Sequence, residues 1–110
     1  MENYRNTNEI RGSGDMKFLA ILDYNHTSVE DMAKKGQAYE EEKKKHPDKY
    51  PETLFPMHSM YKGKTGFAVW EANEAQITRK VAFMLPEVHY TLIPIMDPSE
   101  GMKIYMEVKK

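Results

Sequence analysis

Between Met16 and Asp97 the apolar runs come in the order strand, helix, strand, strand, helix, strand, and the strand-like runs are apolar on both faces. A sheet covered by helices on one side needs only one apolar face per strand, so two apolar faces call for a second cover. The run from Met16 to Tyr24, MKFLAILDY, shows the pattern. Lys17, Leu19, Ile21 and Asp23 share one face, and Met16, Phe18, Ala20, Leu22 and Tyr24 share the other. The run is rich in strand formers and too short before Asn25-His26-Thr27 to make a helix. The last strand, Val88 to Met96, divides in the same way: Val88, Tyr90, Leu92, Pro94 and Met96 against His89, Thr91, Ile93 and Ile95.

The intervening segments set the order. Thr27 with Glu30, or Ser28 with Asp31, gives a capping signature, after which Val29, Met32, Ala33, Gly36 and Tyr39 recur at helical spacing until Pro47. Glu40 with Lys44 and Glu41 with Lys45 pair on the outer face of this first helix. Gly36 on the apolar stripe predicts a close approach of the helix to the sheet. His46 to Thr53 reads as a loop, and Leu54 to Met60 as an edge or bulged strand, because Pro56 has no amide to donate to a ladder. A turn over 61–64 joins it to Thr65–Glu71 as a hairpin. Asn73 with Gln76 caps a second helix carrying Ile77, Val81, Met84 and Leu85, which Pro86 ends. Asp97-Pro98-Ser99-Glu100 reads as a cap, a first-turn proline and a capping glutamate, opening a short C-terminal helix, although Met102, Ile104, Met106 and Val108 also alternate at strand period.

Residues 1–15 hold few apolar side chains and the flexible Gly12-Ser13-Gly14, and are expected to be a flexible extension. Met16, directly after it, is placed to be the natural start, with the preceding segment a leader. The remaining residues, 16–110, make one domain of modest core. Sixteen basic against seventeen acidic side chains, with no segment that concentrates Lys and Arg apart from Glu, point away from nucleic acid and anionic membrane as partners. No apolar run approaches the length of a membrane span, and the first residues lack the apolar core of a secretory signal. With no cysteine there is neither a disulfide nor a thiolate site. A cytoplasmic location fits that composition.

The element order gives an α+β, ferredoxin-like βαββαβ split sandwich with both helices on one face of the sheet. The other face then presents about a dozen side chains, largely apolar, a patch larger than soluble monomers tolerate. Face-to-face packing of two identical sheets as a homodimer is the economical cover, against the C-terminal tail or a different partner.

The run Gly66-Phe67-Ala68-Val69-Trp70-Glu71-Ala72-Asn73 after a histidine-bearing strand, then an amphipathic helix and Leu92-Ile93-Pro94-Ile95-Met96-Asp97, resembles the family catalogued as domain of unknown function 3303. The resemblance spans residues 16–110 and implies a ferredoxin-like, dimeric α/β barrel. Where that family often carries Gly-Arg-Trp-His, this chain has Phe55-Pro56-Met57-His58, matching at the histidine. More distantly the layout is similar to muconolactone isomerases and cofactor-free antibiotic-biosynthesis monooxygenases, an analogy of fold and not of function.

His58, among apolar neighbours, is the candidate catalytic base. The commoner fate of such a histidine is a single backbone hydrogen bond at a dimer seam. His89 carries the same two readings. Tyr24, Trp70 and Tyr90, with Phe67, Phe83 and several of the nine methionines, are candidates to line a pocket for a planar apolar ligand, although methionines are also ordinary core filler. Asp23 and Glu71 end strands one and three; read as parallel neighbours, those strands place both carboxylates near one end of the sheet, within reach of His58. Neither HxH, HExxH nor a Cys pair is present, so no metal is assigned. No cofactor is assigned either, since no GxGxxG, Walker A, GxSxG or triad pattern occurs. The leading expectation is a dimeric module that binds a small apolar metabolite or regulates a partner. The alternatives are a cofactor-independent isomerase or monooxygenase acting on an aromatic or polyketide-like molecule, with His58 as base and Tyr24 or Tyr90 orienting the substrate, and an interaction domain without a ligand.

Overall fold

In the computed structural model, which describes residues 15–109, the elements follow the expected order. They are β1 (Met16–Asp23), α1 (Val29–Lys45), β2 (Glu52–Ser59), β3 (Thr65–Ala72), α2 (Glu74–Met84), β4 (His89–Ile95) and α3 (Pro98–Lys109), with one 3-10 turn at Pro47–Lys49 in the α1–β2 loop. The extension expected over residues 1–15 lies, but for Asp15, outside the described residues.

The four strands form one antiparallel sheet in the order β2-β3-β1-β4, the ferredoxin-like arrangement. β1 is central, with Leu19 opposite both Val69 and Ile93, and Ala20 opposite both Ala68 and Leu92. β2 lies at an edge, where Pro56 leaves no buried amide unpaired. Its pairing with β3 shifts twice, between Thr53 and Phe55 and between Phe55 and His58. Beside the second shift Gly66 is required by space, since a Cβ there would lie 2.8 Å from the His58 carbonyl oxygen.

Local chemistry starts the helices. Of the two caps available to α1 the chain uses Ser28, whose Oγ accepts from the Asp31 amide at 3.0 Å. At α2 the capping box closes in both directions: the Gln76 amide donates to Asn73 Oδ1, and the Asn73 amide donates to Gln76 Oε1, each at 2.9 Å. α3 begins at Pro98, as its cap predicts, with the Gly101 amide donating to the Asp97 carbonyl at 3.1 Å.

Both layers meet on one face of the sheet. Leu22, Tyr39, Tyr50, Met84 and Val88 form the larger core cluster, and Ala20, Ala68 and Trp70 a second one beside it. Along β3 the alternation is complete, with Gly66, Ala68, Trp70 and Ala72 buried and Thr65, Phe67, Val69 and Glu71 not. The opposite face, built on Leu19, Ile21, Phe67, Val69, Ile93 and Phe55, contains no buried residue. None of α3 is buried either.

Candidate functional site

Three small residues create a cavity. Ala20 and Ala68 sit side by side on the central strands, and Gly36 lines the same space from α1. A Cβ at Gly36 would meet nothing within 4 Å, so the helix does not press on the sheet there. The expectation that this glycine marks a close approach is therefore corrected: it marks a gap. The space is about 390 Å³, in the range of small-ligand pockets.

Its aromatic wall is Trp70 and Tyr90, in edge contact with ring centroids 5.1 Å apart. Trp70 is 2% exposed, so it is fixed by packing as well as placed at the cavity. Met32, Met57 and Met84 complete an adaptable apolar lining. Glu40 and Lys43, one and two turns beyond Gly36, bring charge to the same opening from α1.

Inside this lining lies Lys80 of α2. Its Nζ is 4.2 Å from the Trp70 ring centroid and 4.3 Å from that of Tyr39, so two aromatic faces sandwich it. No carboxylate lies within ion-pair distance of it among the described residues. Burial pushes its pKa down to about 7; Lys43 pushes the same way and Glu40 opposes. Burial also raises the Tyr90 and Tyr39 hydroxyls, which stay protonated at neutral pH. The Tyr39 hydroxyl is buried and has no hydrogen-bond partner among the described residues. A half-neutral amine on an apolar, aromatic wall can act as a base or nucleophile, or as a counter-ion to an acidic ligand.

The candidates named from sequence divide between the two faces of the sheet. Trp70 and Tyr90 come together at the cavity. Tyr24 packs on the larger core cluster with Lys64 Nζ 5.9 Å from its ring centroid, outside the cavity lining. His58 is on the opposite face, stacked on Phe55 at 4.7 Å and near Phe67 at 6.0 Å. Its Nδ1 lies 2.8 Å from the Pro56 carbonyl oxygen, an acceptor only, so that nitrogen carries the proton and donates. His58 therefore cannot act on a molecule held in the cavity beside Trp70 and Tyr90. His89 is exposed on that same far face, opposite Asp23.

The proposed meeting of Asp23 and Glu71 is also corrected. β1 and β3 are antiparallel, with Lys17 opposite Glu71 and Asp23 opposite Thr65, so the carboxylates lie at opposite ends of the sheet. Among the described residues no three His, Asp or Glu side chains converge as a metal site would require.

Sequence reasoning missed Lys80, yet a signal existed. It lies three residues after Ile77 and four before Met84, on the apolar stripe of α2, where a lysine has to bury its stem and shed water from its amine. Comparison of this chain with family models, with curated proteins and with solved structures finds no match.

Proposed function

We propose that the protein is a homodimer, joined through the apolar sheet faces of two copies, in which the cavity between α1 and the sheet binds a small, planar, apolar metabolite. The observation that carries the ligand reading is the Ala20–Ala68–Gly36 gap walled by Trp70 and Tyr90. The recess opens to solvent, so its aromatic and methionine walls meet water there, and a planar apolar ligand replaces that water with contacts to the rings.

The homodimer reading rests on the other face. Four strands about 4.8 Å apart and eight residues at about 3.4 Å give an area of about 500 Å² per copy, so a pair reaches the lower bound of specific interfaces. At one end Lys17 stands beside Glu71, so opposite charges offset each other there, and at the other Asp23 faces Thr65 and His89. Membership of the domain of unknown function 3303 family and a cytoplasmic location belong to the same proposal. Among the described residues no helix is long and apolar enough to cross a membrane.

Native mass spectrometry of protein from its own source tests both halves. The expected spectrum is a dimer carrying a reproducible extra mass that denaturation releases, and that mass disappears in Gly36→Leu, whose side chain fills the cavity without meeting a neighbour at its Cβ. A bare dimer refutes a retained ligand, and a monomer refutes the sheet-face assembly. The isomerase or monooxygenase reading is not favoured with His58 as base, since His58 and the cavity are on opposite faces.

A further inference from the structure

The amine of Lys80 is an unexpected resident of an apolar cavity. A lysine whose task is solubility points its ammonium at water, and one whose task is an ion pair finds a carboxylate. Lys80 is half-buried and makes no such pair among the described residues: it reaches from the stripe of α2 into the space beside Trp70 and Tyr39, with its Nζ over both rings. Cation–π contacts favour the ammonium there by about 1–2 kcal/mol, too little to offset the desolvation of a buried charge. The charged groups nearest the opening, Glu40 and Lys43, both come from α1 and oppose one another. Tyr39 of α1, Trp70 of β3 and Tyr90 of β4 complete its surroundings, and none of them is an anion at neutral pH.

Resting on the pocket reading above, we propose that Lys80 captures a carbonyl-bearing aromatic ligand, an aldehyde or ketone, as a Schiff base. The neutral Nζ adds its lone pair to the carbonyl carbon, the C=O π pair moves to oxygen, and an amine proton follows it to give a carbinolamine. Loss of that hydroxyl with the second amine proton releases one water and leaves a C=N bond between Lys80 and the ligand. No oxidant, metal or further reactant enters, and the apolar wall limits return of water to the imine.

The free amine is the reacting form. With a pKa of about 7 roughly half of Lys80 is neutral at pH 7, whereas a lysine in water is neutral to less than about one part in a thousand. The neutral fraction rises with pH, so capture is half-maximal near pH 7 and level above about pH 8.

The test uses the intact protein with 4-fluorobenzaldehyde and cyanoborohydride, and 4-fluorobenzyl alcohol as the analogue that cannot form an imine. Fluorine NMR line broadening reads binding, and peptide mass mapping reads the lysine that is alkylated. The expected result is that both probes broaden, that Gly36→Leu abolishes broadening, and that Lys80 is alkylated about tenfold or more faster than the exposed Lys103 at pH 7. In Lys80→Met the alcohol still broadens and the fast alkylation is lost. Broadening by both probes with Lys80 alkylated no faster than Lys103 overturns the Schiff base and leaves the pocket standing. If neither probe broadens and Lys80 is not alkylated, the pocket reading falls and the Schiff base with it.

Discussion

Gly36 and Lys80 bear on the cavity more than any aromatic residue does, and both sit on helices whose periodicity hides them. A glycine in mid-helix costs about 1 kcal/mol relative to alanine, through backbone entropy in the unfolded chain. Since a Cβ at position 36 meets nothing within 4 Å, Gly36→Ala is free of the usual steric offset. It is expected to stabilise the fold by roughly 0.5–1 kcal/mol, read as a higher midpoint in urea unfolding with an unchanged slope. A lower midpoint would mean that α1 closes on the sheet in solution and that the cavity is not standing. This residue also shows where sequence reading stops. A glycine on an apolar stripe fits both a close approach and a gap, and only the facing residues, Ala20 and Ala68, decide between them. Those two looked like ordinary strand positions because nothing in one dimension says which small side chains will face each other. His58 was legible as a lone histidine on an apolar strand, and its backbone hydrogen bond was one of two readings offered for it. Its separation from Trp70 depends on the register shifts of β2, which leave Phe55 and His58 together on the far face.

At the scale of the element, local signals carried most of the architecture. Periodicity, three capping patterns and the prolines locate every strand and α-helix to within about two residues, because those signals act on the neighbouring backbone alone. The reciprocal box at Asn73 and Gln76 illustrates how much depends on one such signal. Asn73→Ala removes the acceptor for the Gln76 amide and loosens the return bond, at a cost of about 1 kcal/mol. For a domain of this size that corresponds to a fall in Tm of about 4–8 °C by calorimetry. Asn73→Asp keeps an acceptor and adds charge favourable to the helix start, and it should hold Tm near the parent value. Equal losses in both variants would show that the Asn73 amide group, not the cap, matters. What the elements did not yield was direction. Asp23 and Glu71 share one end only if β1 and β3 are parallel, but a hairpin reverses the chain between β2 and β3. The parallel partner of β1 is then β2, and β3 runs against both.

For the whole molecule the governing quantity is thickness. Between Cα atoms the fold is only 18 Å through its thinnest dimension, one helix layer on one sheet, so among the described residues of a single copy nothing covers the other half of the sheet's side chains. Leu19 lies at the middle of that bare face, flanked by Val69 and Ile93. In one copy it is only partly buried, so Leu19→Lys leaves the fold nearly as stable as before. Between two copies packed face to face, the same change places lysines near the centre of the seam. Their desolvation and mutual repulsion cost several kcal/mol there. Sedimentation velocity at micromolar concentration is therefore expected to show a dimer for the parent and a monomer for Leu19→Lys, with the same far-UV circular dichroism. A parent that sediments as a monomer would remove the second copy as the cover, and α3 would be the next element to test. That helix has no buried residue, and Met102, Tyr105 and Met106 along it are all more than half exposed. If the parent is a dimer and deletion of residues 98–110 leaves it one, the two sheets alone hold the copies together. If that deletion yields monomers, the apolar side chains of α3 are part of the seam, and the bare face of each copy is covered by the helix of the other as well as by its sheet.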